Sequence, residues 1–161
     1  MKKIIKIILI VSWMMFIFHL SHQPASVSAG QSGGLINMLI NIPVIGNVVS
    51  PILTSSIGEF VIRKSAHMFL YFILAILTFK LVYRKEKDFN NKIIIKKLLI
   101  SLAIVFIYAC TDEFHLLFIP GRSGEFRDIM VDTAGGCIGL CIMWIYTKMR
   151  YAEKQVICRK K

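Results

Sequence analysis

Four apolar runs, each long enough to cross a bilayer, and the placement of charge around them leave this chain few folds. The runs are Ile4 to Leu20, broken only by Lys6, then Ser65 to Val82, Leu98 to Phe118 and Ile129 to Thr147. About 20 apolar residues span the hydrocarbon core as a helix, and inside a bilayer every backbone polar group must be satisfied internally. Sixteen of the twenty Lys and Arg lie in three places: the N-terminus, Lys80 to Lys97, and the segment from Lys148 onward. Six of the nine acids lie elsewhere, at Glu59, Asp112, Glu113, Glu125, Asp128 and Asp132. Basic flanks mark the cytoplasmic side of a membrane protein. The expected topology has both termini cytoplasmic, with sixteen Lys and Arg inside and four, Arg63, Lys64, Arg122 and Arg127, outside.

The expected fold is therefore all-α, a single integral membrane four-helix bundle over residues 1–161. Its spans are about 4–20, 65–82, 98–118 and 129–147, with an outer loop at 21–63 and a basic cytoplasmic tail at 148–161. Only 18% of residues are charged and 56% are hydrophobic, against roughly 25% charged in soluble domains. The net charge of +11 does not indicate nucleic acid, because the basic residues flank apolar runs rather than forming a stripe. There they orient the spans and meet anionic membrane lipid. Cys110, Cys137 and Cys141 lie within apolar runs and read as small apolar side chains rather than disulfide partners.

Two segments leave alternatives open. Val27-Ser28-Ala29 resembles a signal-peptidase site, although the first run is long for a signal core and reads better as an uncleaved helix. The uncharged stretch after Ser21 opens with Gln, Pro, Ser and Gly, which reads as a loop. From Leu35 it turns apolar but carries Pro43, Gly46 and Pro51, so it suits a re-entrant or interfacial segment, or a plain surface loop.

The polar residues at the acidic end fall on shared helical faces. Lys64, His67 and Tyr71 stand at i, i+3 and i+7, and Asp112 and His115 at i and i+3. Asp128, Asp132, Gly135 and Gly139 stand at i, i+4, i+7 and i+11. Two small residues four apart let another helix approach closely, so this stripe should face the bundle and bring both acids with it. Ionisable groups at a membrane edge are costly and mark functional sites. Candidate acid–base groups are His67, Asp112, Glu113, His115, Asp128 and Asp132, and candidate ligand-binding groups are Arg63, Lys64, Tyr71, Arg122 and Arg127. Paired carboxylates with a histidine suit proton transfer, and arginines suit phosphate or carboxylate. No metal or other cofactor is expected, since the Asp112–His115 spacing has no second copy and basic residues crowd it.

Three segments resemble the VanZ-like family: "SHQPA" from Ser21, "RKSAHMFLYFILAILTF" from Arg63, and "YACTDEFHLLFIPGRSGEFRDIMVDTAGGCIG" from Tyr108. The resemblance implies a bacterial four-helix membrane protein whose namesake is associated with resistance to teicoplanin, a glycopeptide that binds cell-wall precursors. It carries no assigned reaction. By motif position Lys64, His67, Tyr71, Asp112, Glu113, His115, Arg122, Asp128 and Asp132 match the polar signature. Members commonly carry Gln where this chain has Leu116. The function expected is an envelope protein of the cell membrane. Its polar cluster would engage an anionic partner at the outer leaflet, such as a lipid-linked phosphate or a cell-wall precursor. The rival readings are a small proton-coupled transporter and a structural membrane protein whose ion pairs only fix helix packing.

Overall fold

The computed structural model describes residues 2–41, 55–83 and 90–159. Among them are five helices and no strand: α1 (Lys2–Ser21), α2 (Ala25–Ile40), α3 (Ser56–Val82), α4 (Asn91–Leu116) and α5 (Phe126–Arg159). Four are long and apolar enough to cross a membrane, over Lys3–Ser21, Phe60–Val82, Asn91–Leu116 and Phe126–Glu153. The all-α bundle is as expected.

Helix ends differ from hydropathy ends. Ser55 caps α3 by accepting from the Gly58 N–H at 3.1 Å, and Asn90 caps α4 by accepting from the Ile93 N–H at 3.3 Å. These caps start both helices a turn or more before their apolar runs, so Arg63 and Lys64 stand on α3, and Lys92, Lys96 and Lys97 on α4. α5 continues through the basic segment to Arg159. At 1.5 Å per residue its 34 residues reach about 51 Å, well past the roughly 30 Å hydrocarbon core. The basic tail from Lys148 is thus helical as far as Arg159. The expectation of a loop after Ser21 is also corrected: α2 begins after Pro24, whose carbonyl accepts from the N–H groups of Val27 and Ser28, both at 3.1 Å. Most of the apolar stretch read as re-entrant or interfacial, 42–54, lies outside the described residues.

α3 is the hub, packing against all four other helices, while α5 packs on α3 and α4. The core joins Ile17 of α1, Tyr71, Leu74 and Phe79 of α3, Val105 of α4 and Leu140 of α5. Two hydrogen bonds tie α1 into this core: Trp13 Nε1 donates to the Leu70 carbonyl at 3.0 Å, and Tyr108 Oη to the Met14 carbonyl at 2.6 Å. The outer faces are apolar instead of polar, with Phe69 59% and Ile107 62% exposed. Contiguous exposed apolar surface of this kind suits contact with lipid. Buried hydroxyls turn back on their own helices, Thr78 on Leu74 and Thr147 on Met143, which satisfies them without water.

The glycine stripe does what its spacing implies. A Cβ on Gly135 would run into the Met68 carbonyl oxygen, and one on Gly139 would lie 2.7 Å from that of Phe72. Met68 and Phe72 are themselves four apart, so α3 and α5 run parallel and in contact along one seam. That seam carries Asp128 and Asp132 into the bundle beside Lys64 and His67.

Candidate functional site

The site forms where the acidic ends of α3, α4 and α5 meet. After α4, Leu117 and Phe118 continue in a tightened turn, and Pro120-Gly121 reverses the chain, with Gly121 at φ 75°. Glycine takes that left-handed conformation without strain. The reversal places Arg122 beside the α1–α2 connection, where its Nε donates to the Gln23 carbonyl at 3.1 Å. The turn is fixed from below as well, because the Glu125 N–H donates to Glu113 Oε2 at 3.0 Å.

A cleft of ≈ 30 Å³ opens here, lined by Arg63, Lys64 and His67 of α3, Glu113 and Leu116 of α4, Arg122 of the turn, and Asp128 and Asp132 of α5. That volume holds a few waters or a small polar group. Lys64 forms an ion pair with Asp128. Asp128 also sits in the first turn of α5, where a negative charge is favoured by the helix dipole. Burial, and the nearby Arg63, push the Arg122 pKa below its ordinary value, with Asp112 and Glu113 opposing. Arg122 Nη2 is buried without a partner among the described residues, as are Asp132 Oδ2 and Asp128 Oδ1. Buried polar atoms in native proteins nearly always find partners, so these mark where water or a ligand atom belongs.

Seven of the eleven candidate residues line the cleft, so these charges converge in one place. The other four lie around it. Asp112, 3% exposed, sits behind the cleft, and its Oδ2 accepts from Ser21 Oγ at 2.8 Å and Tyr71 Oη at 3.2 Å. Tyr71 is fully buried and directed at Asp112, so it positions that carboxylate and does not face the cleft. His115 turns toward α1 and shares a 3.0 Å hydrogen bond with His22, both rings packing against Phe18. Arg127 is exposed, paired with Glu125 at 3.2 Å and lying over the Phe60 ring.

The residues absent from the sequence-level site are Ser21, His22 and Gln23. Each touches a member of the cluster, and the Ser-x-Gln-Pro resemblance at Ser21 was the available signal. Leu116 lines the cleft and gives it an apolar wall. Among the described residues no group of three or more His, Cys, Asp or Glu converges in a way that could hold a metal ion.

A bundle of four membrane-length helices with a charged cleft sunk into one end defines a small multi-span membrane protein with a polar centre. The chain belongs to the VanZ/LLP1 family, whose model matches residues 6–147. No curated protein and no solved structure matches the chain.

Proposed function

We propose that this protein acts at the outer leaflet of the cell membrane, where its cleft engages the phosphate or carboxylate of an anionic envelope component. A lipid-linked cell-wall intermediate fits that description, and the physiological outcome is resistance to teicoplanin-type glycopeptides. The observation that carries the reading is Arg122: one edge of its guanidinium is fixed on Gln23, and Nη2 is buried with no partner among the described residues, in a cleft that also receives Arg63. Guanidinium groups held this way recognise oxyanions through paired hydrogen bonds. The size of the cleft supports entry of a headgroup only, with the rest of the molecule remaining in lipid. His67, Glu113 and Asp132 stand in the same cleft and supply proton donors and acceptors for any chemistry at the anion.

A proton relay across the membrane is the second reading, favoured by one carboxylate oxygen each of Asp112 and Asp132 that has no partner among the described residues. Depth weighs against it. Asp112 lies four residues from the end of α4 and Asp132 six from the start of α5, about 6 and 9 Å along their axes. The midplane of a bilayer lies roughly 15 Å in.

Two experiments test the proposal. In strains lacking the gene, complementation with Arg122→Lys should restore teicoplanin resistance no better than Arg122→Ala, because Lys supplies a point charge and not a planar fork. A fully active Arg122→Lys protein at normal abundance removes the anion-binding role from this residue. For orientation, a cysteine placed at exposed Ser123 should react with an impermeant thiol reagent in intact cells, and one at exposed Asn90 should not. The reverse pattern overturns the outer-leaflet placement.

A further inference from the structure

The opposite, basic end of the bundle carries a second concavity that the polar cleft does not explain. A groove of ≈ 380 Å³ runs between α4 and α5, with Leu98, Leu99 and Leu102 on one wall and Leu140, Cys141 and Trp144 on the other. Its wall is entirely apolar. Cys137 and Cys141, small side chains four apart on α5, line it. Both are free thiols.

The mouth of the groove differs from its wall. Trp144 Nε1 donates to Asn91 Oδ1 at 3.3 Å, joining the two helices at the end where the lysines begin. Lys92 stands three residues before Ile95 and seven before Leu99, on the groove face of α4. Lys148 stands four residues after Trp144, and its Nζ lies 5.3 Å from the centre of the Trp144 ring. Both lysines are exposed. An apolar trough about two helical turns long thus ends at an indole and two ammonium groups.

We propose that this groove is a binding site for an anionic phospholipid, with an acyl chain in the trough and the headgroup phosphate between Lys92 and Lys148. Basic pockets between spanning helices recognise anionic headgroups in this manner. A second copy of the chain is a poorer occupant. Copies in one membrane share orientation, so a symmetric dimer across this groove would bring four lysines together at one depth. A phosphate removes that repulsion, and a second protein chain adds to it.

Trp144 provides the readout. The full-length protein is reconstituted into phosphatidylcholine vesicles carrying equal mole fractions of either acyl-brominated phosphatidylglycerol or acyl-brominated phosphatidylcholine. Tryptophan quenching is then measured, with the Trp144→Phe protein subtracting the Trp13 signal. Each lysine near an anionic lipid contributes a factor of about five in affinity. Quenching at Trp144 should therefore report a five-fold or greater preference for the brominated phosphatidylglycerol. The preference should vanish in the Lys92→Gln/Lys148→Gln protein and persist in the Lys92→Arg/Lys148→Arg protein. Should the glutamine variant fail to accumulate, raising the salt on the native chain tests the same point, because exposed charge is screened within a few ångströms at molar ionic strength. Equal quenching by the two lipids, or a preference that survives loss of both lysines, overturns the proposal. So does an unquenched Trp144 accompanied by Cys141-to-Cys141 cross-linking between copies.

Discussion

Gly135→Leu is expected to remove the folded protein from the membrane fraction. The reason lies in the seam between α3 and α5. A Cβ at Gly135 meets the Met68 carbonyl oxygen, the Met68 Cγ at 2.8 Å and the Met68 carbonyl carbon at 2.9 Å. Backbone atoms cannot turn aside as a side chain does, so the helices must separate. Separation would also pull Asp128 from Lys64. Ordinary overpacking of a core costs about 1–3 kcal/mol, and a collision with backbone lies at or beyond the upper end. Even Gly135→Ala and Gly139→Ala should lower the thermal midpoint of detergent-purified protein. The control has the opposite sign. Gly34 on α2 has nothing within 4 Å of where its Cβ would be, so Gly34→Ala should be neutral or stabilising, by up to about 1 kcal/mol of helix propensity. Equal loss at both positions would show that any added methyl is harmful and would remove the seam from the argument.

That seam was legible in the sequence because its evidence is periodic. Asp128, Asp132, Gly135 and Gly139 share one helical stripe, and the glycines require close approach whichever helix arrives. Charge asymmetry and run length likewise defined four spans, and Pro120-Gly121 the turn that holds Arg122. The helix boundaries were not legible in hydropathy. Hydropathy reports the preference of side chains for lipid, whereas a helix ends where its backbone finds a cap. Ser55 and Asn90 supply those caps outside the apolar runs, and α5 runs on past Thr147 to Arg159. α2 was hidden for a related reason. Gly30, Gly33 and Gly34 weaken its local helix signal, and its buried positions, Ser28 and Ile36, are defined only once it lies against α3.

The site was legible as a set of residue types and illegible as an arrangement. Spacing put Tyr71 on the face of Lys64 and His67, and it is indeed there, one turn deeper. At that depth the side chain meets Asp112 and not the cleft. Likewise Asp112 and Glu113 are neighbours in sequence, but the 100° between them sends one behind the cleft and the other into it. A partner from α1, Ser21, completes the surroundings of Asp112, and no periodicity within α4 could have named it.

The division between the two buried aspartates leads to the sharpest test of site against scaffold. Asp112 accepts hydrogen bonds from Ser21 and Tyr71, so it links α1, α3 and α4. Asp112→Ala strands both hydroxyls in a dry interior, at about 1–3 kcal/mol, and should reduce thermal stability and abundance. Asp132 is 2% exposed and accepts no hydrogen bond from the described residues, while its Oδ2 is buried without a partner. A buried polar group of this kind works against folding, and a protein retains such a group where function requires it. Asp132→Asn is therefore expected to leave abundance and the thermal midpoint unchanged or raised, while the resistance proposed above for the native chain falls to the level of the deletion strain. The structural rival predicts no such difference, with Asp132→Asn as damaging to accumulation as Asp112→Ala. Measuring abundance, melting and susceptibility on the same two variants separates the readings. If Asp132→Asn unfolds the protein, the carboxylate is a packing element and drops out of the proposed site. If it folds and fails, Asp132 belongs to the chemistry or recognition carried out beside Arg122.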